Sequence, residues 1–71
     1  VTLVVETPYA IPTMSVMMYD AKGSLVMQTK DAKGTGKKLI DLSVSKLSTG
    51  KYYISVYDNQ KLLGTAELIR L

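Results

Sequence analysis

The 71-residue chain contains no cysteine and no histidine. Disulfides and Cys/His zinc sites, the usual staples of so small a domain, are therefore excluded. The same two absences remove the commonest thiolate nucleophile and the commonest general base. No apolar run approaches the roughly 20 residues a membrane-spanning helix requires. No stretch sustains a helical period for three turns. The six carboxylates are scattered, so no window offers the clustered oxygen ligands of a calcium site. Gly34-Thr35-Gly36 lacks the following helix of a phosphate loop, and Ser43, Ser45 and Ser48 beside Lys46 lack an oxyanion scaffold. The expectation is a protein that is not an enzyme and carries no cofactor and no metal.

Basic charge is present but thin in character. The net charge of +3 comes from eight lysines and the single Arg70. Lys30, Lys33, Lys37 and Lys38 crowd around Gly34-Thr35-Gly36, yet no aromatic residue lies between Tyr19 and Tyr52. Nucleic-acid surfaces pair basic charge with arginine and stacking rings. A solvated, lysine-rich loop is the expectation, with polyanion binding through Lys30–Lys38 as a minor reading.

What remains is apolar residues, at 46% of the composition. A chain of this length buries only about 60% of the surface its unfolded form exposes, so those residues must carry the fold. Residues 1–71 are expected to form one domain. The N-terminal "VTLVVETPYAIP" has no basic leader and no initiator Met, so it reads as the start of a domain cut from a longer protein and not as a signal peptide.

Short β-branched and aromatic runs alternate with turn chemistry along the whole chain. Val1 to Val5 is an expected edge strand, followed by an irregular crossing through Pro8 and Pro12. Met14 to Asp20 is the second strand, with Met14, Val16 and Met18 on one face. Asp20-Ala21-Lys22-Gly23 fits a turn whose glycine takes a left-handed conformation, and Ser24 to Lys30 returns. Asp31 to Gly36 reads as a loop and Lys37 to Ser43 as the fourth strand. Leu47 to Gly50 reads as a tight turn. In Lys51 to Asp58, Tyr52, Ile54 and Val56 line one side, with Tyr53, Ser55 and Tyr57 on the other. Leu62 to Leu71 closes the chain, and Gly64 marks a candidate bulge.

"MYDAKGSLV" (Met18 to Val26) and "VYDNQKLLG" (Val56 to Gly64) share one plan, in which Tyr-Asp ends a strand and the Asp caps the turn. The repeat predicts two similar hairpins in corresponding places of two sheets. The fold expected is all-β, a compact immunoglobulin-like β-sandwich of six to seven short antiparallel strands, with a small barrel left as the alternative. Met17 beside Tyr19 and Tyr57 is a candidate apolar patch on the outer surface.

Several of these stretches together resemble the C-terminal sorting domain of cargo proteins exported by the type IX secretion system of Bacteroidota. "VMMYDAKGSLV" (Val16 to Val26) matches that family's apolar-x-apolar-Tyr-Asp-x-x-Gly-x-x-Val signature. "IDLSVSKLSTGKYYISV" (Ile40 to Val56) matches its apolar-Asp-Leu-Ser, then Leu-x-x-Gly-x-Tyr, signature. "AELIRL" is similar to its closing strand, although the final residue is Leu71 where a basic one is usual, and the Pro-Asn-Pro-like opening is missing. The resemblance implies a signal that directs a larger cargo across the outer membrane and is then removed by a sortase-like enzyme. It implies transit through the periplasm, then arrival at the cell surface or exterior. Its matched positions are Asp20, Gly23, Asp41, Leu42, Ser43, Gly50 and Tyr52, and its recognition strand is Glu67, Leu68, Ile69, Arg70 and Leu71. The partners implied are the outer-membrane secretion machinery and the sortase-like protease, with no nucleic acid and no membrane insertion. Dimerisation by edge-strand pairing stays open. A non-catalytic immunoglobulin-like accessory or adhesion module of a secreted bacterial protein, binding through Tyr9, Tyr53 or Tyr57, is the competing reading.

Overall fold

A computed structural model describes residues 1–71, and every regular element in it is a strand. The order is β1 (Thr2–Thr7), β2 (Ile11–Asp20), β3 (Leu25–Lys33), β4 (Gly36–Asp41), β5 (Gly50–Asp58) and β6 (Lys61–Arg70). They form two antiparallel sheets, β1-β4 and β3-β2-β5-β6. The chain therefore builds a sandwich of six strands, with the smaller sheet lying on the larger.

Alternation decides which side chains meet between the layers. Met14, Val16 and Met18 of β2 and Tyr52, Ile54 and Val56 of β5 are buried together with Ile11 and Leu42. Leu3 and Val5 of β1 and Ile40 of β4 pack onto that cluster from the other layer. The core thus sits under the two central strands, where each full side-chain burial contributes about 1.5–3 kcal/mol. The opposite face of β5, Tyr53 to Tyr57, looks outward with Met17 and Tyr19, and the Tyr19 hydroxyl donates to Met17 Sδ at 3.2 Å.

Three local expectations need correction. The two Tyr-Asp hairpins lie in one sheet and not in two. Because β2 and β5 pair antiparallel, with Asp20 opposite Tyr52 and Met14 opposite Asp58, their turns fall at opposite ends of that sheet. Second, Asp31 to Gly36 is not a loop through its length, since β3 runs on to Lys33. Third, the lysines there are not a uniformly solvated group. Lys33 is only 3% exposed, and its Nζ donates to the carbonyls of Gly34 and Gly36 at 2.7 and 2.5 Å. Lys38 reaches from β4 to Asp31 of β3 at 3.0 Å.

Pro12 sits in β2 at the register break between Ile11 and Met14, a place where its missing donor costs no ladder bond. Gly64 lies at a bulge opposite Val56 and Tyr57, as the broken alternation of β6 foretold.

Candidate functional site

The two ends of the sandwich differ. At one, β2 finishes at Asp20, β4 finishes at Asp41, β5 begins at Gly50 and β6 finishes at Arg70. Asp20 lies opposite Tyr52, and Gly50 lies opposite Arg70. Asp20, Gly23, Asp41, Leu42, Ser43, Gly50 and Tyr52, scattered over thirty-odd positions of sequence, are thereby gathered at one pole beside the end of β6.

Most of these residues are occupied in building the pole. Asp20 Oδ1 accepts from the N–H groups of Lys22 and Ser24, both at 2.9 Å. Gly23 follows with φ +89°, a conformation that costs an L-residue about 1–2 kcal/mol. Leu42 is buried, its N–H donating to Val1 O at 2.7 Å. Val1 N donates in return to Leu42 O at 2.8 Å. Gly50, at φ +152°, starts β5, and the Tyr52 hydroxyl reaches back to Ser48 O at 2.7 Å. A tyrosine at a strand start bonded to backbone upstream has the form of the tyrosine corner of β-sandwiches. Here it pins the crossing from β4 to β5.

Two of the gathered side chains stay out of the core. Asp41 and Ser43 are exposed, and Ser43 Oγ has only Ser45 Oγ nearby, at 3.4 Å. Between the Asp20–Lys22 turn and the Ser48–Tyr52 segment lies an open cleft of about 360 Å³, lined mostly by polar residue types. No group of three potential metal ligands occurs anywhere in the chain.

Along the end of β6, Leu68 packs onto the core while Glu67 pairs with Lys51 at 3.3 Å. That contact holds the Lys51 ammonium above its ordinary range, chiefly through the hydrogen bond from Lys51 to the Glu67 carboxylate. Lys51 also stands 5.6 Å from the Tyr53 ring centre. Ile69 and Leu71 are 64% and 94% exposed. Arg70 Nε is enclosed without a hydrogen-bond partner.

A second feature was not foreseen. An apolar groove of about 280 Å³ runs between β1 and β6, with Leu3, Val5, Leu63 and Ala66 among its walls. Gly64 is among its lining residues, and a Cβ built there meets nothing within 4 Å. The sequence carried a signal for it in the small residues Gly64 and Ala66, but only once the pairing of β6 is known. Tyr9 lines this groove, whereas Tyr53 belongs to the outward face of β5. The buried Lys33 had no such signal, since Asp31, two residues before it in β3, is exposed.

The family model described as "Secretion system C-terminal sorting domain" matches residues 1–69. No curated protein and no solved structure matches the chain. Domains of this kind are sorting signals and not catalysts; they engage the type IX secretion machinery, and their cargo is exported to the cell surface or the extracellular space. With the signature stretches joined at one pole of an all-β sandwich and the match spanning almost every residue, the chain belongs to the family of type IX secretion C-terminal sorting domains.

Proposed function

We propose that residues 1–71 act as one sorting unit, carried on a larger cargo protein. In this reading the unit passes through the periplasm and is recognised at the outer membrane through its signature pole and the last strand, Glu67 to Leu71. A sortase-like protease then removes it as the cargo reaches the surface. The observation that carries the reading is the pairing of Gly50 with Arg70, which sets the second signature and the end of β6 side by side.

Most signature residues hold the pole in shape. Recognition falls to what the pole exposes, Asp41, Ser43, Ile69 and Leu71, and to the half-buried Arg70. The test is a periplasmic reporter fused to residues 1–71 in a type IX-competent host, scored for surface export. The intact fusion reaches the surface, and the version lacking Glu67 to Leu71 does not. Since that deletion also removes the packing of Leu68, an Ile69→Ser, Leu71→Ser variant separates recognition from folding. Both side chains are mostly solvated, so the variant folds, and its export falls. An intact, folded fusion that stays in the periplasm overturns the proposal.

A further inference from the structure

The two long sides of the sandwich are finished differently. On the β3/β4 side the sheets are tied by the Lys38–Asp31 ion pair and by the short connection that Lys33 clamps from within. On the β1/β6 side no ion pair or connection crosses. Each of these strands has one partner only, β4 for β1 and β5 for β6. Each therefore presents a row of unpaired backbone N–H and C=O groups toward the groove. Proteins ordinarily blunt such edges with charge, proline or cover. Between its two ends the open edge of β6 carries one charged residue, Glu67, and that is already paired with Lys51.

The charges at the two ends say what this edge fits. Lys61 begins β6 and Arg70 ends it, and neither has a carboxylate within 4 Å. Arg70 Nε lacks any partner. Pairing β6 with β6 of a second copy about Ala66 would, given the bulge at Leu62 to Gly64, bring Lys61 opposite Arg70 at both ends. Like charges directly opposite are destabilising, so a second copy fits poorly in that register. A strand with a carboxylate at each end fits well. Its middle must be apolar and bulky on the face toward the groove, because Gly64 and Ala66 leave that space empty.

We propose that the β1/β6 groove receives an extended segment of the secretion machinery. This segment pairs with the open edge of β6 as an added strand. It carries large apolar side chains at alternate positions and a carboxylate near each end, set against Lys61 and Arg70. About ten residues span the distance, at roughly 3.4 Å each. The proposal rests on the reading that β6 is the recognised strand, and it adds the place and chemistry of the partner.

The probe is a synthetic decapeptide of leucine and valine alternating with threonine, closed at each end by glutamate, titrated into the 71-residue protein. Binding is followed by backbone amide shifts. Saturable shifts confined to β6 and β1 are expected, and a peptide ending in lysines binds about tenfold more weakly. Gly64→Leu fills the groove without meeting another atom at its Cβ, and it abolishes binding with the strand shifts of the free protein retained. Arg70→Gln removes the preference for terminal glutamate. Failure of the peptide to bind, equal binding of the lysine-ended peptide, or a peptide-independent dimer in sedimentation overturns the proposal. Peptide binding to the wild type together with normal export of Gly64→Leu would leave the groove standing and defeat recognition through β6. The two readings thus fail separately.

Discussion

At the scale of single residues, one position shows how the signature acts. Tyr52 is buried with its ring in the core and its hydroxyl on Ser48 O. Tyr52→Phe keeps the ring and leaves that carbonyl without its donor. The expected loss is about 1 kcal/mol, or about 4–8 °C in melting temperature for a domain of this length, read by thermal denaturation. Export of the variant, when scored below its melting temperature, is expected to match wild type, because Tyr52 shapes the pole and does not face a partner. Alternation in Lys51 to Asp58 put Tyr52, Ile54 and Val56 on one side, since period two is fixed by the backbone itself, and that side is the buried one. Lys33 was misjudged for a physical reason. A lysine in a polar, glycine-containing stretch ordinarily stays in water, and nothing in its neighbours announces that two carbonyls will fold around its ammonium.

At the scale of elements, strands were legible and their assembly was not. Turn chemistry located the hairpin at Gly23, whose φ of +89° suits glycine, and the broken alternation of β6 located the bulge beside Gly64. The Tyr-Asp repeat misled, because a local resemblance between hairpins carries no information on which sheet each joins. That depended on the long-range pairing of β2 with β5. The groove was invisible for the same cause, being made by β1 and β6 from opposite ends of the sequence. The tie on the far side yields a pH prediction. Asp31 is held below the ordinary carboxylate range, first by its hydrogen bond from Lys38 and then by that from Ala32 N–H. A carboxyl whose folded value is depressed stabilises the fold above its unfolded value, about pH 3.9, and loses that contribution as pH falls through the folded value. Acid titration below about pH 4 is therefore expected to loosen β4 from β3 earlier in wild type than its general acid unfolding alone would. In Asp31→Asn the stability curve is flatter over that window. Both groups are exposed, so the effect is modest and shrinks with added salt.

At the scale of the whole molecule, the two sheets are assembled from contacts of unequal range. β2–β3 and β5–β6 are hairpins of sequence neighbours, whereas β1 closes on β4 with Thr2 opposite Asp41. Hairpins form in about 1–10 μs, and sandwiches dominated by distant pairings take milliseconds to seconds. The large sheet is expected to form the folding nucleus and the small sheet to dock onto it late. Ile54→Ala then slows folding, while Val5→Ala mainly speeds unfolding, a contrast that stopped-flow tyrosine fluorescence resolves. Equal slowing by both would place β1 in the nucleus and refute the order.

The bonds between Val1 and Leu42 take on a different meaning in that light. They join Val1 to Leu42, the residue after β4, and on the expected folding order they close only once β1 has docked. The pole they complete is the last part of the surface to come into being. Undocking β1 breaks both bonds, so the pole keeps its shape only while β1 stays in place.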